Sequence, residues 1–294
     1  MARRASRAPQ ADVPPWAWSA LTPIPAWAAR AGTRSSQAGP DAMAAATDGS
    51  PARPGVETYD YALFGPVEVR PMGRIREVIA RRLQASWSDV PHVAQFDEVD
   101  VTALLALRGQ ASQGETSRRK PTLLSFVMRA CARALGEFPE VNASLDASGR
   151  NLVLKRYCHI AFAAETPIGL LAPVLRDVDR KGLQEIAQDI DALAAKARAG
   201  KLELSDAEGA CFTVSNLGSL GGTGFIPIIN APELAILGMA RAAPKVVDVE
   251  GRLIARPMLP LTLVYDHRVI DGAVGARFLA SVKRQLETPG GLLA

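Results

Sequence analysis

From about Tyr59 to the C-terminus, amphipathic helical segments alternate with short apolar extended ones, and this alternation most constrains the fold. Ile75, Val78, Ile79, Leu83 and Trp87 recur at three- and four-residue spacing and predict a helix closed by Pro91. Residues 92–101 then read as a strand and 102–109 as a short helix. A helix follows over 121–138, with Pro121 in its first turn and Leu124, Val127, Met128, Cys131 and Leu135 on one face. One or two strands are expected over 151–164, ended by the turn Thr166-Pro167-Ile168-Gly169. A helix spans 181–201, and Ser205-Asp206-Ala207-Glu208 reads as a capping box for one short turn. Strands over 210–215, 234–240 and 258–265 and a helix over 274–286 complete the pattern. No Gly-x-Gly-x-x-Gly or Walker loop interrupts it, which excludes the usual nucleotide-binding α/β domains. The expected class is α/β, a sandwich of helices on one mixed sheet.

The first 55 residues are of another kind. They hold 8 of the 21 prolines and 16 alanines without apolar periodicity, so 1–58 is expected to be an Ala/Pro-rich disordered arm or linker, with the folded domain over 59–294. Three of the four tryptophans, Trp16, Trp18 and Trp27, fall in this arm, a load that fits a partner-docking peptide or an arm lying on its own domain. Six Arg against three Asp give the arm a charge of +3, whereas the remainder carries 28 basic and 27 acidic residues. The net charge of +4 therefore implies no basic face for nucleic acid. No apolar run approaches the roughly 20 residues of a membrane span. Cys131, Cys158 and Cys211 are odd in number, lack ligand spacing and lie in apolar segments, as buried reduced thiols of a cytoplasmic protein would.

Two motifs carry chemistry. Tyr265-Asp266-His267-Arg268-Val269-Ile270-Asp271-Gly272 puts a histidine at the end of an apolar strand, with Asp271 four residues on and Gly272 next. An imidazole titrating near neutrality at a strand end is a candidate general base. Phe212-Thr213-Val214-Ser215-Asn216-Leu217-Gly218 delivers Ser215 from a short strand into a glycine-rich turn. Without a Gly-x-Ser-x-Gly elbow, a nucleophilic serine is disfavoured and an oxyanion donor fits better. Asn216 and Gly218 are read as shaping the turn that presents it. His92 and His159 read as packed core residues. A metal site from Asp266, His267 and Asp271 is disfavoured, because Asp266 and His267 are adjacent and face opposite sides of a strand.

These motifs, 52 residues apart from serine to histidine, together with Phe225–Gly238 and Pro91–Glu98, resemble the catalytic domain of the dihydrolipoyl acyltransferases, the core component of 2-oxoacid dehydrogenase complexes. The pyruvate-complex acetyltransferase branch is the nearest in pattern. The resemblance covers Tyr59 to the C-terminus. It implies a chloramphenicol acetyltransferase-like fold in a trimeric building block, with His267 and Ser215 meeting from different subunits. It further implies that His267 activates the thiol of coenzyme A or dihydrolipoamide, that Ser215 steadies the oxyanion, and that Asp271 pairs with Arg74, or in reserve Arg76, to brace the histidine loop. No metal is implied.

Residues 1–58 contain no lysine and are too short for a lipoyl domain. The lipoyl group is therefore expected on another chain. Expected partners are copies of the chain itself, as a homotrimer and a larger cubic or icosahedral core, and dehydrogenase components or a lipoyl-domain protein. The alternative is a catalytically idle core that only oligomerises and recruits those components.

Overall fold

The computed structural model describes residues 60–110, 121–167 and 169–293; the tryptophan-rich arm lies outside them. The chain divides after Glu68. Ahead of that point the described residues form one 3-10 turn, Tyr61–Phe64, capped by the Asp60 carboxylate, which accepts from the Ala62 amide at 3.1 Å.

From Val69 onward the order is helix α1 (Arg74–Asp89), strand β1 (His92–Asp100), α2 (Thr102–Gln110), α3 (Leu123–Glu137), β2 (Ala143–Leu145), β3 (Leu152–Leu154), β4 (Ile160–Phe162), β5 (Ala164–Thr166), β6 (Gly169–Leu171) and β7 (Val174–Leu175). Helix α4 (Leu183–Arg198), β8 (Phe212–Asn216), β9 (Ala235–Met239), β10 (Ala243–Val249), β11 (Arg252–Asp266) and α5 (Gly272–Glu287) follow. The main sheet has seven strands in the order β1-β11-β9-β8-β4-β7, with β10 also paired to β11. Strands β4, β8 and β9 run parallel, and their neighbours β7 and β11 antiparallel, so the sheet is mixed as expected.

Helix α3 is nearly all buried. Thr122 caps it by a reciprocal bond with Ser125, which places Pro121 just before the helix and not in its first turn. Its stripe of Leu124, Val127, Met128, Cys131 and Leu135 turns inward, and Arg129 goes in with it by donating to the Val178 and Asp179 carbonyls, at 3.3 and 2.9 Å. It packs on α4 and α5, and α5 lies on β1. Phe278 of α5 meets Phe212 of β8 at a centroid distance of 5.6 Å and Phe138 edge-on at 5.9 Å. The helices thus cover the sheet face that bears Val214, Leu237 and Leu263.

The opposite face carries two cross-strand rows. One is Thr213, Ile236, Val264 and Ala94; the other is Ser215, Gly238, Thr262 and Phe96. Residues 225–233 cross this face as an irregular strap. Ile229 of the strap is fully buried, its carbonyl accepting from the Ser86 hydroxyl at 2.5 Å and its amide donating to His92 Nε2 at 3.1 Å.

The expected helices are all present, as are the strands at 92–101, 210–215 and 234–240. The strands β2, β6, β7 and β10 were not expected, and β11 extends over fifteen residues through Pro257 and Pro260 where a start at Met258 was expected. The short 3-10 turn Leu204–Asp206 is closed by Glu203 and Asp206, not by Ser205 and Glu208.

Candidate active site

His267 follows the last residue of β11. Its amide donates to the Pro91 carbonyl at 3.1 Å, and the next turn folds back so that the Val269 and Ile270 amides both donate to the Asp266 carbonyl, at 3.1 and 3.0 Å. Asp266 is buried and gripped by Arg268 in a two-pronged ion pair, Nε to Oδ1 at 2.9 Å and Nη2 to Oδ2 at 2.6 Å. Such a fork is geometrically specific. With Asp266 turned inward and Ile270 buried, His267 is left exposed at the end of the sheet, its ring 6.0 Å from that of Tyr265. The opposed orientation of Asp266 and His267 is the one expected.

Asp271 takes a different partner from the Arg74 expected. It caps α5, its Oδ1 accepting from the Val274 amide at 2.8 Å, while no Arg74–Asp271 or Arg76–Asp271 ion pair occurs among the described residues. The Val274 amide, with smaller help from the Ala273 amide, Arg277 and His267, holds the carboxyl below its ordinary range against a modest opposing effect of burial. Gly272 begins the helix beneath the Tyr265 hydroxyl, 3.8 Å from where a Cβ would stand.

Ser215 is the penultimate residue of β8 and is 9% exposed. Asn216 turns its Oδ1 back to accept from the Gly218 amide at 2.8 Å. A Cβ on Gly218 would lie 2.9 Å from that oxygen, so any larger residue there displaces the Asn216 side chain from this bond. Both residues take part in the turn. Beside Ser215, Gly238 makes room for the Phe225 ring: a Cβ on Gly238 would lie 3.0 Å from Phe225 Cζ. A cleft of about 480 Å³ continues along the row, lined by Thr262, Phe96, Pro260, Met258 and Thr223 of the glycine-rich loop.

Within one chain the serine and the histidine are far apart. Ser215 pairs with Gly238 and Gly238 with Thr262, four residues before Asp266. Four residues of strand rise and two strand spacings separate the Cα atoms of Ser215 and Asp266 by about 16 Å. They lie at opposite ends of the sheet. An oxyanion donor and a general base must both reach one carbonyl and its attacking thiol. A single copy does not bring them together.

The other candidates are structural. His92 Nδ1 donates to the Val90 carbonyl at 2.8 Å while Nε2 accepts from the Ile229 amide at 3.1 Å, which fixes the ring's orientation. His159 Nδ1 accepts from the Asp177 amide at 3.0 Å under the Tyr157 ring. The three cysteines are buried and free. Burial pushes the Cys131 thiol up, and the hydrogen bond that Cys158 donates to Cys211, followed by burial, does the same to Cys158. Among the described residues no group of three metal-ligating side chains forms, and no helix is long and apolar enough to cross a membrane.

Residues 64–294 match the family model of the 2-oxoacid dehydrogenases acyltransferase catalytic domain. The chain belongs to this acyltransferase family. It is 49% identical over 226 residues to the dihydrolipoyllysine-residue acetyltransferase component of the pyruvate dehydrogenase complex of Pseudomonas aeruginosa, covering 76% of this chain and 41% of that protein. The acyltransferase domain described here thus spans about two-fifths of that relative's length. Among solved structures, dihydrolipoamide acetyltransferase of Azotobacter vinelandii aligns with a TM-score of 0.79 at 45% identity, over 82% of this chain and all of that one. The cubic core of a pyruvate dehydrogenase multienzyme complex aligns with the same values. The Azotobacter work concerns a serine, a histidine and an asparagine in the catalytic mechanism, spaced 52 and four residues apart. Ser215, His267 and Asp271 have that same spacing.

In this family member the Asp266–Arg268 fork and the buried Glu233 escaped the sequence reading. The first had a visible signal, since opposite charges two residues apart at a strand end share a face. The second had none.

Proposed function

We propose that the chain is a dihydrolipoyl acyltransferase that moves an acyl group, acetyl in the first instance, between dihydrolipoamide and coenzyme A. The observation that carries this is the register of the sheet. It presents a solvent-facing imidazole at one end and a strand-end hydroxyl at the other, with the spacing of a relative's catalytic serine and histidine. Two copies facing each other complete one site. We assign a homotrimer as the unit that does this, stacking into a larger cubic core. The lipoyl group arrives on a separate domain, and the dehydrogenase components are the partners that load it. Buried, unpaired thiols fit a reducing, cytoplasmic setting.

In the proposed reaction His267 Nε2 takes the proton of the incoming thiol, and the thiolate adds to the thioester carbonyl. The carbonyl pair moves onto oxygen, where the Ser215 hydroxyl of the neighbouring copy donates to it. Collapse of the tetrahedral adduct restores the carbonyl and expels the second sulfur, which receives the proton back from the imidazolium. The thiol and thioester exchange with no net change in protons. Loss of one oxyanion donor typically costs about 100- to 1000-fold in rate.

The test uses the assembled protein with acetyl-CoA and dihydrolipoamide. Ser215→Ala and His267→Ala should each be nearly inactive, and oligomers assembled from an equal mixture of the two should regain about a quarter of the wild-type sites by random pairing. Failure of the mixture to recover activity would exclude the shared site. No activity in the properly assembled wild-type oligomer, unchanged by His267→Ala, would leave an idle core.

A further inference from the structure

Glu233 closes the strap that crosses the active face, and it is only 3% exposed. Its Oε2 accepts from the Thr213 hydroxyl at 2.6 Å and its Oε1 from the Asn230 side-chain amide at 3.0 Å. Thr213 lies two residues before Ser215 in β8, so their side chains share the same sheet face. The charge that faces Glu233 is Lys155, in the segment between β3 and β4, whose Nζ is buried with no hydrogen-bond partner among the described residues. Burial lowers the pKa of that ammonium. Cys211, just before β8, is the other titratable group coupled to the pair.

Around this carboxylate further bonds join the same segments. The Asn142 side chain donates to the carbonyls of Lys155 and Tyr157, at 3.1 and 3.0 Å, and Ser144 of β2 donates to the Pro232 carbonyl at 2.5 Å. The strap, β8 and the Lys155 segment therefore converge on one interior acid. An interior carboxylate costs several kcal/mol unless it is paired and hydrogen-bonded. Hydrophobic packing would hold these segments more cheaply, which points to a requirement for fixed geometry and not for cohesion alone.

We propose that Glu233 is a positioning residue for acyl transfer: by holding Thr213 and Asn230 together it fixes the end of β8 from which Ser215 presents its hydroxyl. The carboxylate is too deeply placed to touch substrate and acts only through Thr213 and the strap. This inference rests on the reading of Ser215 as the oxyanion donor.

The experiment measures kcat and KM for acetyl-CoA with dihydrolipoamide in the assembled enzyme. The variants are Thr213→Val, Glu233→Ala and Glu233→Gln, each alone and combined with Ser215→Ala. Thr213→Val and Glu233→Ala should lower kcat about tenfold or more while KM stays within about twofold. In the Ser215→Ala background the same changes should cost less than about twofold, because residues acting through one another are non-additive. Glu233→Gln, whose amide oxygen still accepts from Thr213, should stay within about threefold of wild type. Equal losses in both backgrounds, or no loss at all, would overturn the inference. Should Glu233→Ala fail to fold, Thr213→Val alone decides between these outcomes. If Ser215→Ala itself leaves the rate intact, the oxyanion reading falls, and the positioning role falls with it; a coupled loss absent only from the Thr213 and Glu233 variants rejects the positioning role alone.

Discussion

Ser215 and His267 stand where β8 and β11 stop, and strand ends are where a sheet exposes polar groups. The family resemblance implied a pairing of Asp271 with Arg74, and the four-residue offset from His267 was read as placing the two side chains on one face. Residues 267–270 form a turn that buries Ile270, so the four-residue spacing does not make a common face, and the aspartate is used as a helix cap. The Azotobacter relative has an asparagine at the corresponding spacing, which caps a helix equally well but forms no ion pair. Asp271→Asn is therefore expected to keep stability and most activity. Asp271→Ala should lower the melting temperature and, by loosening the His267 loop, lower kcat about tenfold. Thermal melting and steady-state rates on the two variants check this, and an Asp271→Asn enzyme as impaired as Asp271→Ala would contradict the cap.

Glu233 makes a pH prediction. Burial raises its carboxyl from 4.5 to about 7, opposed by the bonds from Thr213 and Asn230 and by Lys155. Because the folded value is the higher one, its contribution to stability is fully present below the unfolded pKa and is lost as pH rises through about 7. Glu233→Gln removes that dependence, so its stability relative to wild type should rise between pH 5 and pH 8. Denaturant midpoints at the two values measure the slope; a constant difference would refute it.

Among the elements, those with a long periodic signal were legible and those held by pairing alone were not. Helices α3, α4 and α5 each run fifteen or sixteen residues with a buried stripe, β9 is a clean apolar run, and β1 carries the spaced apolar residues Val93, Phe96 and Val99. Strands β2, β6 and β7 are two or three residues long and exist only because a neighbour supplies their hydrogen bonds. Strand β11 hides behind Pro257 and Pro260, residues that ordinarily argue against a central strand. The carbonyls of both prolines still accept, from Val101 and Ala240.

The α5–β11 contact makes a sharp prediction. A Cβ on Gly275 would lie 2.7 Å from Tyr265 Cε1 and 3.2 Å from Gln95 Oε1. Gly275→Ala must therefore push Tyr265, two residues before His267. Overpacking of this kind costs about 1–3 kcal/mol. The variant should melt lower and lose activity out of proportion to its remaining folded fraction, as circular dichroism and rate measurements on the same sample will tell. An unchanged Tm would mean that the helix and strand are less tightly apposed.

On the scale of the whole molecule, α1 is the element least explained by one copy. It folds as its periodicity requires, yet Ile75 is 50% and Trp87 56% exposed, and Ser86 is its one buried residue. A helix whose apolar stripe stays in water lacks the packing that gives most helices their stability. We expect a neighbouring copy in the proposed assembly to cover it. Ile75→Glu combined with Leu83→Glu should therefore weaken association and, because each site needs two copies, remove activity together with the oligomer. Sedimentation and activity on one preparation test both; a fully active monomer would end the shared-site proposal. The assembly itself was not readable from composition, since an exposed stripe and a buried one have the same sequence pattern.

The placement of Ser215 and His267 at opposite ends of one sheet has a genetic corollary. In a closed ring each copy lends its serine to one neighbour and its histidine to the other. A copy altered at only one of the two positions silences one site, whereas a copy altered at both silences two. Co-expressed with the wild type, the double variant would behave as a stronger dominant inhibitor than either single variant at equal dose, although no subunit is missing from the ring.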